Sequence, residues 1–512
     1  MADELPKGFE PQTVEARWYA HWVEHGVFHP SEDPDDDRPT YVLPMPLPNV
    51  TGSLHMGHAM MCTLEDVLVR AHRMRDYNTL YQPGTDHAGI ATQVVVERQL
   101  RRDGISRHDI GRDKFLERVW EWKRECGGRI VEQQKVLGLS ADWDRSCFTM
   151  DPTYCRAVRE AFVRLYHEGL IYRAERLIYW DCVAHTVLSN LEVNNEEENG
   201  ELFEFAYPIA AEDGGGEIVV ATTRPETMLG DTAVAVHPDD PRYQGLHGKS
   251  VDHPFVDRKI PIITDAILVD PKFGTGAVKV TPAHDHNDFE TGQRHDLELI
   301  NILNPDGTIN DNGGPFQGQD RFEARKAVKR ALKEKGLAKG SKNHRLMIPR
   351  SDRTASIVEP MLSLQWFVKT KPLAEPAMQA VRDGKTVIIP EEWTKTYEHW
   401  MTNILDWCIS RQLWWGHRIP VWYCDDCDHL TVVNAESVEG CEKCGSKNIR
   451  QEEDVLDTWF SSALWPFGTQ GWPEDSLKLR RFYPASDLET GYDILFFWVA
   501  RMMMMGIHFM GE

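Results

Sequence analysis

Apolar residues at Val14, Trp18 and Trp22 recur at helical spacing and predict an amphipathic helix over Gln12 to His25, its tryptophans packed into a core. An acidic, proline-containing linker from Ser31 to Arg38 leads to a short apolar run, Tyr41 to Leu43, that reads as a strand. A proline-stiffened segment then reaches Val50 and turns at Thr51-Gly52. Ser53 is placed to cap a helix continuing through Leu54, Leu64, Val67, Leu68 and Ala71. Strand, turn and helix in that order open a nucleotide-binding unit of an α/β sheet. Leu80 to Gln93 repeats the pattern, with Asp86 and His87 at the carboxyl end of the strand, where such sheets place ligands. Charged helical sequence fills Arg98 to Gly138, and a further helix runs from Pro152 to Gly169.

The texture changes near Leu191. Glu217 to Ala235 and Lys259 to Thr281 are rich in Val, Ile and Thr with glycine punctuation, the mark of a β-rich insertion. After about Arg345 the α/β texture returns through Gln365-Trp366-Phe367-Val368. The expected organisation is a helical segment over 1–35, the first half of a Rossmann-type parallel-sheet domain over 36–190, a β-rich domain over 191–345, and the second half over 346–512. A small zinc-ribbon insertion is expected at 421–450. The longest apolar run, Ile494 to Met505, is short and broken by Arg501, so it reads as a buried helix and not a membrane span.

Composition narrows this picture. A chain of 512 residues is too long for one core, and 41% hydrophobic with 27% charged residues is ordinary for a soluble globular protein. Met1 to Pro11 is polar and acidic, which is no secretory signal, and a cytoplasmic location is expected. Ten cysteines, four of them in Cys-x-x-Cys pairs, fit a reducing compartment and a metal site. The net charge of −23 argues against nonspecific DNA coating. Arg321 to Arg345 is nevertheless strongly basic, and it reads either as a solvated helix face or as a nucleic-acid patch.

Three groups of residues carry candidate chemistry. His55 and His58 in His55-Met-Gly-His58 share a face in the first turns of a helix, beside free backbone N–H groups and the positive end of the helix dipole. That suits polyphosphate, with Gly57 allowing a planar ligand to approach; a solvated helix start is the plain alternative. Lys279, Thr281, Asp285 and Asp288 gather around a strand end and suit a pocket for an amine and a hydroxyl, or else a loop of Asx-turns. Cys424-x-x-Cys427 and Cys441-x-x-Cys444 supply four thiolates for one tetrahedral structural zinc, with no open position for catalysis. The aromatic and basic stretch Trp407 to Tyr423 reads either as core or as a ligand face.

Together these residues give the chain a resemblance to the class I aminoacyl-tRNA synthetases, and within them to the valine branch, over essentially its whole length. His55-Met-Gly-His58 matches the first class signature. Pro48-Asn-Val-Thr-Gly52 and Thr85-Asp-His-Ala-Gly-Ile-Ala-Thr-Gln93 look like the valine branch, and Ile409-Ser-Arg-Gln-Leu-Trp-Trp-Gly-His-Arg-Ile-Pro420 adds a long match. Asp457-Thr-Trp-Phe-Ser-Ser-Ala-Leu-Trp-Pro-Phe467 and Asp487-Leu-Glu-Thr-Gly-Tyr-Asp-Ile-Leu-Phe-Phe-Trp498 complete the ordered set. An isoleucine or leucine branch is the rival within the class, weakened by Thr85-Asp-His-Ala-Gly-Ile90.

The resemblance implies a Rossmann-type domain split by a β-rich editing domain, acting in two steps. L-valine and Mg2+-ATP give valyl-adenylate, and tRNA(Val) then takes the acyl group. His55 and His58 would be catalytic, stabilising charge on the ATP phosphates. Pro46, Asn49, Asp86, Trp459 and Ile494 would hold the amino acid, with Asp86 taking its ammonium. Gly57, Glu489, Gly491 and Asp493 would complete the ATP site. Because a valine pocket cannot strongly reject threonine, a second site is implied that hydrolyses threonyl-tRNA. There Asp288 would anchor the α-amino group, and Arg224, Thr227, Phe273, Lys279, Thr281 and Asp285 would shape the pocket.

Three features depart from the family pattern. Leu47 stands where proline is usual, and Cys182 has no nearby cysteine partner, so one zinc is expected and not two. The family's second signature, Lys-Met-Ser-Lys-Ser, and its anticodon-binding domain are also missing. The expectation is therefore a truncated, monomeric ligase with no membrane association, incomplete for valine activation; an editing module standing alone is the alternative from a different class.

Overall fold

The computed structural model describes Gly8 and residues 10–512. Met1 to Pro11, read above as no secretory signal, lies largely outside the described residues. The chain forms two compact units: one comprises the residues up to Tyr172 together with Trp366–Glu512, and the other is Arg173–Gln365.

In the first unit the strands Thr40–Pro44 and Asn78–Gln82 pair in parallel, from Thr40↔Asn78 to Pro44↔Gln82, and the helix Met56–Met74 joins them. That helix buries Cys62, Glu65, Asp66 and Val69, spaced three and four apart as one face of a helix requires. Pro83, which has no N–H to donate, follows Gln82, and the next strand, Gly84–Thr85, pairs separately with Cys147–Phe148. The predicted parallel sheet is therefore several short ladders within a mixed α/β fold.

Helices Gly89–Arg102, Arg112–Val136 and Pro152–His167 fill the first half of the unit. Its largest core joins Tyr154, Phe162 and Leu165 to Trp366, Trp407, Phe460, Trp465 and Met505, which come after the second unit in the sequence. Trp407, Trp415 and Trp422 are buried, so the aromatic stretch is core. Among the described residues, one helical run, Tyr492–Met510, is long and apolar enough to cross a membrane. Its Leu495, Trp498, Met502, Met504 and Met505 are buried in that same core.

Two local expectations are corrected. The helix starts at Met56, and His55, not Ser53, caps it, because His55 and His58 between them satisfy two otherwise free N–H groups. The helix Pro11–Glu24 forms, but Trp18 is 41% exposed; of the two tryptophans only Trp22 turns inward, beneath the Arg70 guanidinium and against Phe28.

The second unit is β-rich. Val193–Pro208 pairs antiparallel with Ala338–Ser351 on one side and with Glu217–Thr222 on the other. A second sheet runs in the order Ser250–Asp252, Lys259–Thr264, Ala233–Val236, Ala277–Val280, and helices His286–His295 and Arg321–Glu334 accompany the sheets. The basic stretch 321–345 is largely neutralised within the unit. Arg325 pairs with Glu226, Lys339 with Glu217, Lys342 with Glu204 and Arg345 with Glu197, each at 2.6–2.7 Å, while Lys329 pairs with Glu201 and Arg321 with Glu359.

Candidate functional sites

In the first unit the helix terminus is organised by its two histidines. His55 Nδ1 accepts the Gly57 N–H at 3.1 Å, and His58 Nδ1 accepts the His55 N–H at 3.3 Å. In a neutral imidazole with Nδ1 accepting, the proton sits on Nε2, so both rings offer an Nε2–H donor beyond the helix end. Burial, and then the neighbouring His55, push the His58 pKa down, favouring that neutral form. His55 and Gly57 are exposed, and a Cβ at Gly57 would lie 3.0 Å from the His55 ring.

Beside this terminus the segment before the helix is laced to the Asp86 loop. The Asp86 N–H donates to the Pro48 carbonyl at 3.0 Å and the Val50 N–H to the Asp86 carbonyl at 3.2 Å, which sets Asn49 opposite Asp86. Asp86 is 4% exposed: Oδ1 accepts the Ala88 N–H at 2.7 Å and lies 3.3 Å from His87 Nδ1, and Oδ2 accepts the Ser462 hydroxyl at 2.5 Å. Ala88 adopts a left-handed conformation, φ 47°, to make that contact, a backbone state costly for a residue with a Cβ. Pro46 is buried, Asn49 is exposed, and Trp459 and Ile494 are half-buried, the Trp459 ring 5.1 Å from that of Phe497.

The Glu489 segment is tied to the first strand: the Ser486 N–H donates to the Val42 carbonyl at 2.8 Å and the Tyr41 hydroxyl to Asp487 at 2.7 Å. Glu489 is half-buried there, and Gly491 and Asp493 are exposed.

The second unit holds a buried polar cluster. The Lys279 ammonium lies 3.2 Å from Asp231 Oδ1 and also contacts the Thr281 hydroxyl. Thr281 donates to Asp231 Oδ1 at 2.5 Å, and Tyr207 donates to Asp231 Oδ2 at 2.7 Å. Asp288 Oδ2 accepts the Thr281 N–H at 2.8 Å, and Asp285 caps the helix that carries Asp288. Burial and then the Asp285 charge push the Asp288 carboxyl up to about 7, against the pull of Lys279. Arg224 bonds the His284 carbonyl at 2.9 Å and pairs with Glu359, while Thr227 is buried beside it, bonding the Arg224 carbonyl at 2.9 Å. Phe273 stands apart, 55% exposed, its ring 5.9 Å from that of His344.

Sequence reasoning missed Asp231, Tyr207 and Glu359 in this cluster, and Ser462 beside Asp86. None lies at a spacing that marks it. The usable signal was a charged residue, Asp231, next to the apolar strand Ala233–Val236, where only a buried partner justifies it.

Among the described residues one group of side chains is placed to hold a metal ion: Cys424, Cys427, Cys441 and Cys444, with all four Sγ atoms within 4.8 Å of one another. The 3.6 Å separations of Cys424 from Cys444 and of Cys427 from Cys441 fit the edge of about 3.8 Å that a tetrahedral zinc–thiolate site demands. Three short antiparallel strands, Val421–Cys424, Leu430–Val432 and Ile449–Gln451, form the base of this knuckle.

A family model described as tRNA synthetases class I (I, L, M and V) matches residues 17–512. Valine–tRNA ligase of Syntrophotalea carbinolica is 56% identical over 512 residues, covering 100% of this chain and 56% of its own length. That of Geobacter sulfurreducens is 57% identical over 509 residues, covering 99% and 57%. The chain thus spans a little over half the length of these relatives. Among solved structures, the ternary complex of the Agrobacterium radiobacter K84 LeuRS with tRNA and LeuAMS aligns with a TM-score of 0.50 at 19% identity, covering 98% of this chain and 65% of that one. That likeness concerns the fold alone.

Proposed function

The chain belongs to the class I tRNA synthetases of the isoleucine, leucine, methionine and valine group, and from that membership we propose that it serves as a valine–tRNA ligase. Its reaction is the ATP-dependent activation of L-valine and transfer of the valyl group to tRNA(Val), in the cytoplasm and as a monomer. The observation that carries this reading is the lacing of Asn49 to Asp86 beside the capped terminus at His55. One small region then offers donors for phosphate and a buried carboxylate for an ammonium.

In this reading the valine ammonium meets Asp86, with Pro46, Asn49, Trp459 and Ile494 around the side chain. The carboxylate of valine attacks the α-phosphorus of ATP, and pyrophosphate leaves. The outward Nε2–H groups of His55 and His58 donate to the phosphate oxygens as charge builds there, and Gly57 leaves room for the nucleotide. Glu489, Gly491 and Asp493 hold the adenosine. Mg2+ bound with ATP would offset phosphate charge. Cys424, Cys427, Cys441 and Cys444 would hold a zinc ion that ties the knuckle together without entering the reaction.

The second unit supplies the editing. Threonine is close to valine in shape and adds only a hydroxyl, which an apolar pocket rejects by about a hundredfold at best. Hydrolysis of threonyl-tRNA(Val) would supply the remainder, with Asp288 taking the α-ammonium and Arg224, Thr227, Phe273, Lys279, Thr281 and Asp285 shaping the site. Valine-dependent exchange of pyrophosphate into ATP, by the full-length protein and by its His55→Ala variant, tests the central claim. A loss of about a hundredfold or more is expected for the variant, and equal exchange by both would defeat the role given to His55.

A further inference from the structure

Two hydrogen bonds cross a sequence gap of more than 360 residues to join the Asp86 loop to the short helix Thr458–Ser462. The Gly89 N–H donates to Thr458 Oγ1 at 2.9 Å, and Ser462 Oγ donates to Asp86 Oδ2 at 2.5 Å. Ser462 is 2% exposed, and its own carbonyl accepts the Trp498 indole N–H at 2.9 Å, so the residue is held from both ends. Its hydroxyl has two acceptors within reach, Asp86 Oδ2 and the Thr458 carbonyl at 2.9 Å, and only one proton to give. The carboxylate is the stronger acceptor and sits closer.

A carboxylate offers about four lone-pair positions. At Asp86 one is taken by the Ala88 N–H and one by Ser462, on opposite oxygens. The two bonds together lock the plane of the carboxylate and, with His87 Nδ1 a further 3.3 Å from Oδ1, leave the second lone pair of Oδ2 for a ligand. The short helix that carries Ser462 is itself anchored: Asp457 at its cap receives the Trp407 indole N–H at 2.8 Å and faces the Arg411 guanidinium at 3.0 Å, all buried.

We propose that Ser462 is a positioning residue of the amino-acid site, its hydroxyl holding the Asp86 carboxylate in the orientation that meets the α-ammonium of the substrate. The inference rests on the reading of Asp86 given above. Ser462 touches no substrate and acts only through Asp86, so its removal weakens ground-state and transition-state binding alike. That raises KM for the amino acid and leaves kcat and the KM for ATP in place.

The test is pyrophosphate exchange by the full-length protein with Ser462→Ala, Ser462→Thr, Asp86→Asn and the double variant Ser462→Ala/Asp86→Asn. Ser462→Ala is expected to raise KM for valine by about tenfold, the scale of a hydrogen bond to a charged group, with kcat and KM for ATP near wild type. Ser462→Thr, which keeps the hydroxyl, should restore most of that loss. In the Asp86→Asn background Ser462→Ala should add almost nothing. A wild-type KM for valine in Ser462→Ala overturns the proposal, as does an equal loss in both backgrounds. If Asp86→Asn itself leaves KM for valine unchanged, the reading of Asp86 has failed; if Asp86→Asn raises it and Ser462→Ala does not, only the role of Ser462 has.

Discussion

The ammonium of Lys279 stands 3.2 Å from a carboxylate oxygen of Asp231, and neither side chain is more than 7% exposed. Breaking such a pair from one side strands a charge where water cannot reach it. Asp231→Ala is therefore expected to lower the unfolding free energy by about 3–5 kcal/mol, measured by urea denaturation. Asp231→Leu combined with Lys279→Met should recover much of that loss, because it removes both charges; a double variant as weak as Asp231→Ala would show that the pair is not the cause.

The editing role proposed for Asp288 carries a pH limb. Its carboxyl is pushed up to about 7 by burial and by Asp285. Only the ionised form attracts an ammonium, so protonation as the pH falls from 8 to 6 removes the anchor. Hydrolysis of threonyl-tRNA should fall over that interval, with a midpoint near 7, and Asp288→Ala should accumulate Thr-tRNA at every pH. A flat profile through that range would count against the assignment.

Glu65 links pH to stability in the opposite sense. It is fully buried on the inner face of the helix Met56–Met74, accepts the Tyr81 hydroxyl at 2.6 Å, and is pushed up to about 8 by burial. The folded protein therefore holds a proton that the unfolded chain releases near its ordinary value, so stability falls as pH rises from about 4.5 to about 8. Glu65→Gln keeps an acceptor for Tyr81 without the charging cost. It should flatten that slope and gain about 2 kcal/mol or more at pH 9. Unfolding curves at pH 5 and pH 9 would check it, and an identical pH slope in both proteins would refute it.

For the cysteine knuckle the expectation is about one zinc per chain by elemental analysis. Cys441→Ser should release it and lower the melting temperature, since Cys424 and Cys441 are buried and the knuckle strands pack into the core of the first unit. Full zinc content in Cys441→Ser would mean that the metal sits elsewhere.

What could be read in advance divides along physical lines. His55, His58, Asp86, the four cysteines and the Lys279 to Asp288 run could be singled out as candidates because each depends on local spacing: a helix face, a strand end, a chelating pair. Asp231, Tyr207 and Ser462 were not, because each is a lone polar residue whose partner lies 24 or more residues away. The helix start moved from Ser53 to His55 for a similar reason. Several residues there were competent caps, and the reciprocal bond from His58 decided among them. Trp18 misled because helical spacing tells which residues share a face and not whether anything covers it.

The interrupted course of the first unit also constrains how it is made. Tyr154, Phe162 and Leu165 leave the ribosome early, while the tryptophans that cover them, Trp366, Trp407 and Trp465, emerge only after the roughly 190 residues of the second unit. At ordinary rates of synthesis, that delay is on the order of ten to forty seconds. For that interval the apolar face of the helix Pro152–His167 waits without its cover, so a nascent chain paused within Arg173–Gln365 is the state in which chaperone capture should peak.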